Sequence, residues 1–137
     1  VMRSIDKIIV HCSATPEGRD VSVDTIKKWH VDDNKWSDIG YHYVIELDGG
    51  VHYGRNCEIS GAHCKGHNSK SIGICYVGGV DANQNPKDTR TDKQVIALHN
   101  LIKDLKTKYP DSIVYGHRDF SSKACPSFDA KSEYSDV

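Results

Sequence analysis

The chain has 137 residues and a formal net charge of −1, with 18 basic and 19 acidic residues spread along its length. This length suits one hydrophobic core, so residues 1–137 are predicted to form a single domain. The balanced charge excludes a basic face of the kind that binds nucleic acid. No apolar stretch is long enough for membrane insertion and no signal-peptide pattern is visible, so we expect a soluble protein. A monomer is the expected state, although no sequence feature determines it.

Short β-branched or aromatic runs predict about five strands. In chain order they are KIIVHC, YHYVIEL and VHYGR around the turn DGG, SIGICYVG, and SIVYGH. Ser22 predicts the N-cap of a first helix, and Thr91 with Gln94 forms a capping box for a second one, which Pro110 ends. Strands interleaved with amphipathic helices predict an α/β fold, with a central mixed β-sheet flanked by α-helices.

The cysteines are five in number, which leaves one unpaired in any set of disulfides. Their irregular spacing is poor for a disulfide framework, so reduced thiols are predicted. Cys57 and Cys64 are the one local pair that could form a bridge.

The first and last predicted strands each end in a histidine. If these strands lie near each other, His11 and His117 emerge at the same edge of the sheet, and Cys125 returns on the following loop. Two histidines and a thiolate form a catalytic zinc set, because three protein ligands leave the fourth tetrahedral position open. The alternative is that both histidines are ordinary strand-end residues and that the thiol is a small buried hydrophobe.

A second arrangement of possible metal ligands lies in the middle of the chain. Cys57, Cys64 and His67, with His63 between them, are close enough in sequence for a structural zinc site. The two cysteines are further apart than the usual ligand pair, which argues against this alternative.

Four segments, taken in order, carry a resemblance to a known family. They are IIVHCSAT, WSDIGYHYVIELDGGVHYGR, HCKGHNSKSIGICYVGG and GHRDFSSKACPSFD. The sequence between Ile8 and Lys131 resembles the zinc-dependent type-two N-acetylmuramoyl-L-alanine amidases, which include phage lysozymes and share their domain with peptidoglycan recognition proteins. The resemblance implies the fold of that domain.

The resemblance also implies the roles of five residues. His11, His117 and Cys125 correspond to the zinc ligands, and Tyr41 and Lys123 correspond to residues that assist catalysis in the phage enzymes. The Lys123 ammonium and the Tyr41 hydroxyl are suited to stabilising the negative charge of a tetrahedral intermediate. Many family members have a glutamate where this chain has Tyr41, so the general base stays open, with Tyr41 orienting the water as one alternative. The competing interpretations are a core aromatic for Tyr41 and a solvated loop lysine for Lys123.

Further polar residues lie near this set in the sequence. His63, Lys65 and Asn68 are predicted to bind the peptide or the sugar, although a polar surface loop is the alternative. His42 is predicted to lie on the opposite face from Tyr41 with a structural role, and Cys12 is predicted to point away from the metal.

The predicted function is zinc-dependent hydrolysis of the amide bond between N-acetylmuramic acid and L-alanine in bacterial peptidoglycan. Such an enzyme would be made in the cytoplasm and act on the cell wall, as an endolysin does. The alternative is a non-hydrolytic peptidoglycan-binding module. Cys125 favours the enzyme, since family members that only bind typically lack this thiolate ligand.

Overall fold

The computed structural model describes residues 4–137, so the first three residues of the predicted 1–137 domain lie outside the described residues. The strands are β1 (Lys7–Cys12), β2 (Thr15–Pro16), β3 (Tyr43–Ile45), β4 (Val51–Tyr53), β5 (Ser71–Tyr76), β6 (Gly79–Val80) and β7 (Ile113–Gly116). The α-helices are α1 (Val23–Lys28), α2 (Asp92–Lys108) and α3 (Ala130–Glu133), and α1 continues into a π-helical turn, Trp29–Asp33.

Five strands form the main sheet in the order β4-β3-β5-β1-β7. All neighbours pair in parallel except β3 and β4, which form an antiparallel hairpin. The predicted α/β fold with a central mixed sheet of about five strands is therefore confirmed. The short strands β2 and β6 pair separately. Strand β1 lies between β5 and β7, and its last five residues are buried, as a strand covered on both faces requires.

Helix α2 begins at the predicted capping box. The Gln94 backbone N–H donates to the Thr91 hydroxyl, and the Thr91 N–H donates to the Gln94 side-chain oxygen. Caps of this kind stabilise a helix by about 1 kcal/mol. The Gln94 amide is buried and donates to the carbonyls of Ile45 and Val77, so it also joins the helix start to the sheet.

The core lies on both faces of the sheet. On one face, side chains of β1 and β5 pack with Leu98 and Ile102 of α2. On the other face, Val44 and Val77 pack with Ile26 of α1. Burial of each such aliphatic side chain contributes roughly 1.5–3 kcal/mol, so this packing fixes the sheet that carries the candidate site.

Within residues 4–137, no helix is both long enough and apolar enough to cross a bilayer.

Candidate metal centre and active site

Three predicted ligands converge at one edge of the sheet. Strands β1 and β7 pair in parallel with Val10 opposite Gly116, so His11 and His117 lie side by side. The expectation that the two histidines share an edge is thus confirmed, although β7 ends at Gly116 and His117 begins a 3₁₀ turn, His117–Asp119. One nitrogen of each histidine and the Cys125 sulfur all lie within 4.8 Å of one another.

The loop that carries Cys125 is tied back to the sheet. The Arg118 N–H donates to the Cys125 carbonyl at 2.7 Å, and the Tyr76 hydroxyl donates to the Pro126 carbonyl at 2.6 Å. The Ser127 hydroxyl donates to the Gly79 carbonyl at 2.7 Å. These three hydrogen bonds hold the Cys125 loop against the sheet edge and so fix the position of its thiol.

Cys12, at the end of β1, was predicted to point away from the metal, but it contacts one of the proposed ligands. Cys12 lies outside the three-residue cluster, but its backbone N–H donates to the Cys125 sulfur at 3.1 Å, and the two thiols are hydrogen-bonded to each other. The hydrogen bond between the thiols lowers the pKa of Cys12 to about 7 and raises the pKa of Cys125, so the proton of the pair stays on Cys125. A cation bound at the cluster would favour the thiolate form of Cys125 instead, because a metal ligand must be deprotonated.

Both histidines of the cluster favour the neutral form. Burial, together with the nearby His63, His117 and Lys123, holds the pKa of His11 well below its usual range. Burial and the Lys123 charge also lower the pKa of His117. Neutral imidazoles keep a lone pair for a metal, so two nitrogens and one sulfur match the donor set of a zinc site with an open position.

The alternative ligands in the middle of the chain do not come together. In the part of the chain that the structure describes, His11, His117 and Cys125 form the only group of three potential ligands with this proximity. Cys57 donates to the Tyr43 hydroxyl, and the His67 ring lies against Phe120. All five cysteines are free thiols, as predicted, so Cys57 and Cys64 are not bridged.

A cavity of about 460 Å³ opens beside the cluster. Its lining includes Trp36 and Phe120 and several residues that were singled out from the sequence, among them His117, Lys123, His63, Lys65 and Asn68. Lys65 and Lys123 are exposed and lie on separate loops. The cavity thus joins the metal-ligand cluster to a rim with two ammonium groups.

Tyr41 lies beside the cluster and not in the cavity wall. It lies two residues before β3, and its ring centroid is 5.1 Å from that of His11. Burial, followed by the neighbouring thiols, raises the pKa of Tyr41 well above its usual value, and its hydroxyl interacts with the Cys75 thiol. The protonated phenol can act as a hydrogen-bond donor.

Two predicted substrate-binding residues have partners within the protein. His63 Nδ1 is 2.8 Å from His11 Nε2. The Asn68 side-chain oxygen accepts from the backbone N–H groups of His63 and Cys64. The His63–His11 contact was missed in the sequence because the two residues are 52 positions apart and no local pattern relates them.

Buried His42 has the structural role expected of it. Its Nδ1 accepts from the Gly73 N–H at 3.0 Å, and its Nε2 contacts the Ile59 carbonyl at 2.8 Å. These bonds join the start of β3 to β5 and to the loop before the cavity.

Comparison with known proteins defines the class of this site. The fold matches bumblebee PGRP-SA, with 29% identity, a TM-score of 0.79, and coverage of 99% of this chain and 85% of that one. It also matches the N-acetylmuramoyl-L-alanine amidase LysC from Clostridium intestinale, with 25% identity, a TM-score of 0.81, and coverage of 96% and 83%. The domain is thus of the class shared by amidases and PGRP proteins.

Sequence comparison gives the family. The family profile described as N-acetylmuramoyl-L-alanine amidase matches residues 2–128. The endolysin of Klebsiella phage KP32 is 46% identical over 125 residues, covering 91% of this chain and 82% of that protein. The endolysin of Escherichia phage T7 is 42% identical over 128 residues, covering 93% and 84%. The chain belongs to the N-acetylmuramoyl-L-alanine amidase family, and the predicted enzyme class is confirmed.

Proposed function

We propose that this chain hydrolyses the amide bond between N-acetylmuramic acid and L-alanine of peptidoglycan, with a zinc ion held by His11, His117 and Cys125. The observation that carries this proposal is the convergence of the three ligand atoms within 4.8 Å at the edge of the cavity. Family membership and the endolysin relatives support the substrate class. As with an endolysin, the place of action would be the bacterial cell wall.

The donor set indicates what a metal would contribute. A zinc ion bound here would act as a Lewis acid toward the amide carbonyl and lower the pKa of a water molecule toward neutrality. His11 and His117 would supply neutral nitrogens, and Cys125 would supply a thiolate whose charge the Cys12 backbone N–H partly offsets. The cluster includes Cys125, which favours hydrolysis over the alternative of a module that only binds peptidoglycan.

Lys123 is proposed to stabilise charge on the substrate. Its ammonium is exposed on the cavity rim and close enough to His117 and His11 to depress their pKa values. A carbonyl oxygen that gains negative charge at the cluster would therefore face this cation. One well-placed donor of this kind contributes about 3–4 kcal/mol to the transition state.

Tyr41 is proposed to act as a donor. Its hydroxyl stays protonated, which is compatible with stabilising an oxyanion or orienting a water molecule. Because the ring packs beside His11 and away from the cavity lining, this role requires the hydroxyl to turn from Cys75 toward the cluster. Lys65 and Asn68, which also line the cavity, are proposed to bind the peptide or sugar.

The test is the identity of the bond that is cleaved. Purified protein would be incubated with bacterial sacculi, and soluble products would be analysed by mass spectrometry. The proposal expects stem peptides with a free L-alanine amino group and glycan strands with free lactyl carboxylates, the two products of amide hydrolysis. A chelator should stop their release, and zinc should restore it. Soluble disaccharide-peptides, or release that a chelator does not affect, would contradict it.

A further inference from the structure

A hydrogen-bonded chain of side chains runs behind the metal-ligand cluster. His11 Nε2 is 2.8 Å from His63 Nδ1, and His63 Nε2 is 3.2 Å from the Ser71 hydroxyl. The His11 and His63 rings are almost perpendicular, at 88°, with centroids 4.9 Å apart. This edge-on contact occupies Nε2 of His11, so Nδ1 is the nitrogen left for a metal.

The directions of these bonds follow from the chemistry of a neutral imidazole, which donates from one nitrogen and accepts at the other. If His11 offers the Nδ1 lone pair to a metal, its proton must be on Nε2. His63 must then accept at Nδ1 and donate from Nε2 to the Ser71 hydroxyl. The reverse direction would place the His11 proton on Nδ1 and remove the lone pair.

The His63 ring lies in a slot between two glycines. A Cβ atom on Gly73 would lie 2.7–2.8 Å from three ring atoms of His63, and one on Gly61 would lie 2.7 Å from the His63 Cδ2. Real Cβ atoms do not approach other atoms so closely, so both positions must lack a side chain for the imidazole to fit. The slot fixes the plane of the ring as well as its position.

Both walls of this slot are anchored. The Asn68 side chain accepts from the His63 N–H at 3.0 Å, which holds the loop that carries His63. Buried His42 accepts from the Gly73 N–H, which holds the strand beneath the ring. These bonds fix the backbone on both sides of the His63 ring.

We propose that His63 is a positioning residue for the metal site, which holds His11 in the tautomer that presents Nδ1 to zinc. His63 would act through His11 and not by binding peptide or sugar, the role that its sequence context predicts. The inference rests on the proposed zinc site. Partners of this kind typically raise metal affinity by 10–100-fold, because they fix both the tautomer and the orientation of the ligand.

Zinc affinity gives a readout that does not depend on catalysis. The dissociation constant would be measured by competition with a chromogenic chelator. We expect His63→Leu to weaken zinc binding by about 10–100-fold. His63→Asn should restore affinity to within a few-fold, because its amide oxygen can accept near the Nδ1 position. The matched control is His99→Asn, which changes an exposed histidine on α2 and should leave affinity unchanged.

Gly73→Ala tests the slot while it keeps every polar group of the site. The added methyl group would displace the His63 ring, so we expect the same loss of zinc affinity as in His63→Leu. Circular dichroism and thermal unfolding of the metal-free variants would show that the fold persists. Long-range ¹H–¹⁵N spectra of the zinc-loaded parent protein should show His11 and His63 both protonated at Nε2.

The outcomes separate this inference from the proposed function. A parent protein that binds no zinc would overturn the proposed function and this inference with it. A parent protein that binds zinc, with His63→Leu and Gly73→Ala within twofold of its affinity, would overturn the positioning role only. Should both variants fail to fold, a His11 proton found on Nδ1 in the zinc-loaded parent protein would overturn it equally.

Discussion

The cluster of side chains around Arg90 and the cluster around His11 differ in whether every polar group has a partner within the protein. Around Arg90, five N–H groups of the guanidinium all meet acceptors of the chain. Around His11, two neutral imidazoles and a thiol direct their ligand atoms toward one another. The first cluster needs no further component, whereas the second has the composition of a cation site.

The Arg90 cluster shows how this fold neutralises a buried charge. Asp88 and Glu133 each bind the guanidinium through both carboxylate oxygens, and Tyr134 accepts a fifth bond. The guanidinium carbon lies 3.5 Å from the centroid of the Phe128 ring. Because these contacts join the segment before α2 to α3, they also anchor the chain that follows Cys125.

The Arg90 cluster and the His11 cluster have separate roles, one in stability and the other in metal binding. The Arg90 cluster stabilises the fold by pairing opposite charges. At the His11 cluster, burial and nearby positive charge oppose protonation, which favours metal binding over ion pairing. Changes at the first site should therefore act on unfolding, and changes at the second should act on metal binding and turnover.

The largest expected effect is that of Cys125→Ser. A hydroxyl is a poor zinc ligand, so the variant should lose metal and at least about a thousandfold in turnover, which corresponds to about 4 kcal/mol of metal assistance. Release of peptide from sacculi measures the turnover. The matched thiol variant Cys57→Ser, outside the cluster, should keep both metal and activity. Undiminished hydrolysis by Cys125→Ser would show that the thiolate is not a ligand.

Lys123→Ala should have the next largest effect. Loss of the rim ammonium should lower kcat by about 100–1,000-fold with zinc content unchanged, as for the loss of one oxyanion donor. Steady-state kinetics on a soluble muramyl peptide would measure it. Lys65→Ala, at another residue of the cavity lining, should instead raise KM with little change in kcat. Normal turnover in Lys123→Ala would show that Lys123 is a solvated lysine without a role in catalysis.

Tyr41→Phe tests the donor role of the phenol. It should lower kcat by a factor similar to that of Lys123→Ala while His11 keeps its ring contact. If the double variant is no slower than either single variant, the two residues act as one unit. A Tyr41→Phe enzyme with full activity would leave Tyr41 as a packing residue only.

Arg90→Lys should change stability and leave the metal site intact. One ammonium cannot bind two carboxylates in bidentate fashion or lie flat on Phe128, so the free energy of unfolding should fall by roughly 2 kcal/mol. Chemical denaturation of the metal-free protein measures this. A variant of unchanged stability that lost zinc would contradict the separation of the two clusters.

The smallest expected effect is on the free energy of unfolding at acid pH. The hydrogen bond from Arg90 lowers the pKa of Glu133 below its ordinary 4.5. A carboxyl with a depressed pKa stabilises the fold above its unfolded-state pKa and loses that contribution as the pH falls through the folded-state value. Stability of the metal-free protein should therefore decline below about pH 4.5, and Glu133→Gln should decline less steeply. If the stability of the parent protein and of Glu133→Gln declined equally as the pH falls, the pairing of Glu133 with Arg90 would be contradicted.

Local signals in the sequence predicted much of this molecule. The Thr91–Gln94 capping box and the β-branched run of β1 act over a few residues, so they predict a helix start and a buried strand. The histidines at the ends of the first and last strands were expected at one edge only if those strands lie near each other, and the pairing of β1 with β7 meets that condition. The side-chain periods of 2.0 residues in strands and 3.6 in helices describe single elements, so they do not give the order of strands in the sheet.

Contacts between distant segments could not be predicted in this way. Val95 belongs to the apolar pattern of α2 yet is 38% exposed, because the helix packs on a narrower stripe. The Cys12–Cys125 and His11–His63 contacts join residues 113 and 52 positions apart. They depend on sheet order and loop path, which no local spacing encodes.

Metal analysis is the most direct test of the central claim that His11, His117 and Cys125 form one zinc site. Elemental analysis of the parent protein, Cys125→Ser and Arg90→Lys, each dialysed against trace zinc, would give the stoichiometry. The account predicts one zinc per chain in the parent protein and in Arg90→Lys, and almost none in Cys125→Ser. A full equivalent of zinc in Cys125→Ser, or none in a folded and active parent protein, would contradict it.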